Sequence, residues 1–400
     1  MVRKRTLLLS ILGSSLLAAG CAVDLGGGGN GSSESGLVQP KPGTGGQCQP
    51  RSVFQNAVCL CGDFAHAGSL VTEAPAGGRA SVGVNGDFAA ATGTRIAGDL
   101  GAWRGLSMAG DLDVTSDLRT AGSVSGAGQL RIGRDAFVGR SLTLAGQLDV
   151  GRTLRAGGEV IVVGEQRVGQ RAELSSPIDS PCECDPSRRL DVASKVAAQG
   201  QGTDASGDLE IGAGRHVFSS LALGHLRVTG AAQVYVAGDV RSIGHGAIEL
   251  APGASLELFV AGNVTTVGDV TFGDPSRPEA FRLYVGGRDT VTIASAGHTA
   301  WNGLVYAPDA EIAFAGASEV SGALFARDLS YAGSLRVRFA GAPPYDDCGR
   351  DGGVTVNEAG VGDGGNDNDG ASAGDGGATA DGGAHPDAGS ANDGGGGGCK

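Results

Sequence analysis

The chain has 400 residues, with 30 Lys and Arg against 43 Asp and Glu, giving a formal net charge of −13. Seventy-four glycines and only 4% aromatic residues argue against one large globular centre, and the acidic balance with few stacking rings excludes a basic nucleic-acid footprint. The first twenty residues read as an export signal, with Arg3, Lys4 and Arg5 ahead of the apolar run Leu7 to Leu17. That run is too short to cross a bilayer.

The stretch Leu17-Ala18-Ala19-Gly20-Cys21 resembles the bacterial lipobox, with Ala18 where leucine is commoner. The resemblance implies cleavage before Cys21 and lipidation of that residue, and with Ala22 next it implies sorting to the outer membrane or cell surface. Residues 21–46, rich in Gly, Ser and Pro, read as a tether that would hold the body about 25–30 Å from the membrane.

A six-residue beat then runs through Phe64, Leu70, Ala76, Val82, Phe88, Thr94, Leu100, Leu106, Leu112, Leu118, Val124, Leu130, Ala136, Leu142, Leu148, Leu154 and Val160, and Thr94 is its one polar member. A second apolar beat lies two residues later, and glycine often lies two residues earlier. Side chains at i and i+2 share one face of a short strand, and glycine permits the turn that follows. The expectation is an all-β fold. Residues 47–168 form a hexad-repeat β-solenoid with eighteen-residue coils, and residues 207–342 form a second parallel β-helix with a repeat of about 24 residues. In the second segment Val234-Tyr-Val, Leu258-Phe-Val, Leu283-Tyr-Val, Leu304-Val-Tyr and Ala323-Leu-Phe are read as the same side of successive coils.

Residues 169–206 read as a linker in which Asp185-Pro186 begins one amphipathic helix, about 186–199, with Leu190, Ala193, Val196 and Ala197 on its apolar face. Its expected role is to cover an open end or side of a solenoid. Residues 343–400, with eleven acids against two bases, cannot supply a core and read as a disordered acidic tail.

Export makes disulfides the expected state of Cys48, Cys59, Cys61, Cys182, Cys184 and Cys348. A four-thiolate zinc site normally has longer spacings than C-x-C. Bridging within one C-x-C is strained in an extended strand, so Cys59 and Cys61 are expected to pair with Cys182 and Cys184, strapping the linker to the first solenoid. The partner of Cys399 is left open.

Catalytic signals are weak. His66 is the one histidine of the hexad segment, and the acids of the second segment fall at corners, where Asp and Asn favour turns. His216, His225, His245 and His298 do not repeat at the coil spacing, and Trp103 and Trp301 read as packing residues. The expectation is therefore no enzyme, no cofactor and no metal.

The run Cys182-Glu-Cys-Asp-Pro186 with Leu190-Asp-Val192, Phe272-Gly-Asp-Pro275, Leu283-Tyr-Val-Gly-Gly287 and Gly303-Leu-Val-Tyr-Ala-Pro-Asp309 resembles an uncharacterised bacterial exported domain family, over about 180–341. That resemblance implies a surface-associated β-solenoid of unknown function. The hexad segment is independently similar to bactofilin-type polymer-forming rods. Together these readings imply a lipid-anchored, non-enzymatic envelope scaffold with a structural or adhesive role. The alternative is a polysaccharide-binding or polysaccharide-cleaving β-helix. Expected partners are the membrane, through the lipid, and envelope or extracellular polysaccharide or further copies of the chain, with no nucleic acid.

Overall fold

The structure is a computed structural model, and it describes residues 54–340. The signal, the tether, the acidic tail, and Cys21, Cys48, Cys348 and Cys399 lie outside the described residues.

The hexads fold as expected into three-sided coils. Val82↔Leu100, Leu106↔Val124 and Leu130↔Leu148 pair in parallel at eighteen-residue steps. Both apolar beats point inward: Leu100, Leu118, Leu130, Leu142 and Leu148 are fully buried, as are Val114, Val138 and Leu144. Ala76 departs from the pattern. Coil one pairs with coil two at a step of 24, as in Val58↔Val82 and Phe64↔Phe88, so one whole hexad loops out and Ala76 is exposed. An insertion of six residues leaves every later side chain in phase, which is why the beat continues across it.

Glycine has a concrete role at one corner. Gly128 and Gly146 have φ of +114° and +146°, and a Cβ on either would lie 2.3 and 2.0 Å from the carbonyl oxygen of the glycine one coil earlier. Any side chain there would push neighbouring coils apart.

The second segment also coils in parallel, through Val234↔Leu258 and Leu258↔Leu283. The next step differs by one residue from the sequence reading, because Leu283 pairs with Val305 and Tyr284 with Tyr306. Leu304 therefore faces outward, where a second apolar cluster receives it.

The two segments are one stack. Val58-Cys59-Leu60 pairs with Leu324-Phe325-Ala326, and Phe64 to Glu73 pair residue for residue with Leu329 to Arg338, all in parallel. A single apolar core runs through both segments. The described chain starts in the middle of the rod, coils to one end at Glu173, and returns along the outside. It then begins coiling again at Thr203 at the far end and closes on its own first coil. About thirteen rows at ~4.8 Å make the stack roughly 60 Å long.

The return segment departs from the expected single helix. A 3-10 turn, Pro186–Arg188, is capped by Asp185, and a separate helix α1, Val192–Ala197, starts because the Asp191 carboxylate accepts from the Ser194 N–H at 2.9 Å. Val192 and Val196, one turn apart, are its buried face, whereas Ala193 and Ala197 are exposed.

Leu148→Asp is expected to destabilise the rod by more than ~3 kcal/mol, because an inward carboxylate finds no partner among aliphatic side chains. Asp149→Asn removes one surface ion pair, with Arg131 at 3.9 Å, and should change stability by less than ~1 kcal/mol. Denaturant unfolding of the two variants checks the register.

Candidate functional site

Three places break the regularity of the rod: the face under the return segment, the seam where the chain closes, and a recess beside the strap. On the strapped face the outward column reads Tyr235, Phe259, Tyr284, Tyr306, Phe325. Successive rings stack at 5.0 Å (Tyr235 and Phe259), 4.6 Å (Phe259 and Tyr284) and 5.2 Å (Tyr306 and Phe325). Exposed, such a column would be a sticky stripe. The return segment buries it, with Val192, Val196, Cys182 and partly buried Leu190 packing on the rings and Lys195 Nζ 4.8 Å from the Phe259 centroid.

The strap is fixed by covalent and polar contacts. Cys59 is joined to Cys182 and Cys61 to Cys184, with Cα separations of 5.8 and 5.5 Å. The Asn85 side chain donates to the Cys182 carbonyl at 2.9 Å and accepts from its N–H at 3.1 Å. The Leu190 N–H donates to the Tyr306 hydroxyl at 3.0 Å, and Arg189 pairs with Asp309 at 2.6 Å. Gly83 and Gly101 continue the aromatic column as bare backbone, and a Cβ there would strike Cys182 Sγ at 2.8 Å and Pro181 at 2.6 Å. Two glycines thus make room for the strap where five rings support it.

At the seam, Phe64 stacks on Phe88 at 4.9 Å, and His66 stacks on Tyr331 at 4.9 Å with the two rings nearly parallel. The polar member of the hexad beat meets the histidine of that segment here. His66 Nδ1 donates to the Gly68 carbonyl at 2.9 Å, so Nε2 accepts from the Thr94 hydroxyl at 3.2 Å. His66 is buried, and both ring nitrogens are engaged. Above it a shallow groove of about 720 Å³ is lined by Ala65, Ala67, Ala89, Ser107, Ala109 and Met108. Glu73 clamps the same seam, pairing with Arg336 at 2.6 Å and Arg338 at 2.9 Å.

The recess beside the strap, about 940 Å³, lies between residues 174–181 and the hexad face. In it the Phe137 ring is held between the Arg119 and Arg155 guanidiniums, 5.1 and 5.2 Å from its centroid. Arg119 also pairs with Asp117, and Arg79 with Asp99.

The corner acids of the second segment, read as turn residues, have a definite task that acids of the hexad segment share. Asp99, Asp117 and Asp135 each accept the backbone N–H of the residue eighteen later, and Asp208, Asp239 and Asp269 do the same one coil on. The backbone N–H of Asn263, with a smaller contribution from the Arg241 guanidinium, holds the Asp239 carboxyl below the usual carboxylate range. The histidines of the second segment stay apart: His216 bonds the Gly212 carbonyl, His225 lies 3.2 Å from Glu249, and the His298 N–H donates to Asp269. Among the described residues no group of three or more His, Cys, Asp or Glu could hold a metal ion. Trp301 is buried in the core, whereas Trp103 is exposed at a corner.

Residues 178–343 match a family described as a domain of unknown function, DUF7305. The match covers the strap and the second half of the stack. A search of curated proteins gives no match. Among solved structures, an ice binding protein from an Antarctic bacterium, Flavobacteriaceae, aligns over 74% of this chain and 100% of its own at 10% identity. The TM-score of 0.16 is too low for that likeness to bear on fold or ligand. No helix among the described residues is long and apolar enough to cross a membrane.

Two predictions follow from this geometry. Non-reducing peptide mapping should recover Cys59 with Cys182 and Cys61 with Cys184, and replacing both members of one pair by serine should cost about 2–5 kcal/mol. Burial pushes the His66 imidazole below its ordinary value, against a smaller opposing pull from the Gly68 carbonyl. The unfolded chain then takes up a proton the folded chain refuses, so this contribution is complete above about pH 6.5 and is lost progressively below it. His66→Gln should flatten that part of the stability profile, measured as denaturant midpoint from about pH 5 to 7.5.

Proposed function

We propose that this protein is a non-enzymatic envelope scaffold, anchored by lipid at Cys21, whose rigid rod serves a structural or adhesive role at the outer membrane or cell surface. The observation that carries the reading is the strap. A return segment bonded by two disulfides locks the whole stack as one body, and such bonds persist in oxidising compartments outside the cytoplasm. His66 is bonded at both nitrogens, and six corner aspartates cap the next coil. The signal and the lipobox-like stretch before Cys21 support the anchor.

The recess that holds Phe137 between two arginines favours a second reading, polysaccharide binding, since a ring flanked by cations suits an acidic sugar.

Cell fractionation tests the anchor. Wild-type protein should partition with membranes and Cys21→Ser should be released or left unprocessed, because membrane retention by acyl chains depends on that residue. Equal membrane recovery of the two would defeat the anchor. Surface proteolysis of intact cells then reports the exposed face, and binding of acidic polysaccharide lost in Phe137→Ala would favour the second reading.

A further inference from the structure

We infer that the recess beside the strap binds a glycan segment of three sugars in the order acidic, neutral, acidic, with one carboxylate on Arg119, the other on Arg155 and the uncharged middle sugar against Phe137. This rests on the polysaccharide-binding reading of the same recess and names its ligand class.

The opening exists because of what lies under the strap. Along the strapped side the outward column continues Gly83, Gly101, Arg119, Phe137, Arg155, Ala172, each in parallel register with the next. Cys182 seats on Gly83 and Pro181 on Gly101, where a Cβ would come within 2.8 and 2.6 Å of them. At the other end the chain leaves the stack after Glu173, one residue beyond Ala172. Between those two points the column carries three large side chains, and residues 174–181 arch over them to enclose about 940 Å³. That is room for a few sugars and not for a folded domain.

The charges inside are unequally satisfied. Arg79 pairs with Asp99 at 3.0 Å, and Arg119 gives one nitrogen to buried Asp117 at 3.1 Å, which fixes where its guanidinium sits. Arg155 has the Phe137 ring beside it and no carboxylate partner among the described residues. A guanidinium takes a carboxylate through two parallel N–H bonds, so Arg155 and the free edge of Arg119 are both open to an acid.

Spacing selects the ligand. The two guanidiniums flank one ring, 5.1 and 5.2 Å from its centroid, and they come from the rows on either side of it. Two rows at ~4.8 Å set them about 10 Å apart. A β-linked pyranose advances its chain by close to one row, so a glycan lying along the rod meets the arginines with every second sugar. The sugar between them faces partly exposed Phe137, which packs against C–H groups and offers no donor to a carboxylate. An acid on that sugar would lose water without compensation. Across the recess the exposed Ser175, Ser176 and Asp179 side chains have no hydrogen-bond partner among the described residues and line the space where sugar hydroxyls would lie.

Calorimetric titration of the purified full-length chain at low salt tests this with β-linked probes: a hexasaccharide alternating glucuronate and N-acetylglucosamine, a hexamer of consecutive mannuronates, and a neutral hexamer of N-acetylglucosamine. Free glucuronate is the fourth probe. The alternating hexasaccharide should bind, and each of the others should bind about ten-fold more weakly or worse, free glucuronate because it reaches a single arginine. Arg119→Gln and Arg155→Gln should each weaken the alternating hexasaccharide about ten-fold or more. Arg155→Gln strips no buried carboxylate of its partner, and unchanged circular dichroism and melting would show that its fold is intact. Equal binding of the alternating and consecutive hexamers, or of free glucuronate, overturns the three-sugar inference and leaves the acidic-polysaccharide reading standing. Wild-type affinity in Arg155→Gln overturns it as well, by placing the site elsewhere. If no acidic probe binds, the inference and the reading beneath it both fall.

Discussion

The rod depends on one pairing, that of residues 58–73 with residues 324–338. It joins two half-stacks built at opposite ends of the chain, and it requires contacts between residues 265 to 266 positions apart. Contacts so distant return no energy until the intervening coils are in place, so the entropy of closure must be offset elsewhere. The two disulfides shift that balance. Each closes a separation of 123 residues, for which the chain-entropy account gives about 4–5 kcal/mol per independent bridge. They lie at the seam as well, since Cys59 and Cys61 flank Leu60 in the coil that receives Leu324 to Ala326. The strap is therefore fastened at the row where the two halves meet, and the Glu73 clamp and the His66–Tyr331 stack complete the join on the other sides.

The three-sided coil was legible because its cause is local. Inward positions recur every six residues, and a looped-out hexad at Ala76 did not disturb the phase. The cysteine pairing was legible from geometry, since a C-x-C in a strand cannot close on itself. The seam left no such mark. Val58-Cys-Leu60 and Leu324-Phe-Ala326 share only apolar character, and a parallel stack accepts any neighbour with inward aliphatics, so two rods and one rod read alike from the sequence. The Leu304 register failed for a related reason. A strand with apolar residues on both faces has no alternation to fix which face is inward, and the strap that buries the outward face is supplied by residues more than a hundred positions away.

The candidate site was harder to read because its polar groups look ordinary. Aspartate at a corner is a common turn residue, yet here the carboxylates accept an N–H from the next coil, which the corner geometry would otherwise leave without a ladder partner. A spacing of eighteen between Asp99, Asp117 and Asp135 was the available signal. Thr94 and His66 carried a similar clue, as the one polar residue of the beat and the one histidine of the segment, 28 positions apart. Each is costly to bury alone, and together they satisfy each other.

The path of the chain also explains why the rod ends differ from those of a simple solenoid. When a chain coils from one end to the other, its termini emerge at the ends and can fold over them. In this protein the described chain begins at Phe54 and finishes at Ala340, both beside the seam, and the connection between the ends is drawn tight along the aromatic side. Tying the strap to Cys59 and Cys61 and seating α1 on Phe259 commits the described linker to the side of the rod and not to its ends. Among the described residues, the same topology that locks the middle of the rod leaves both of its end strands with one ladder partner, one end closing an outward column of alternating charge with Arg167 and the other opening one with Glu210.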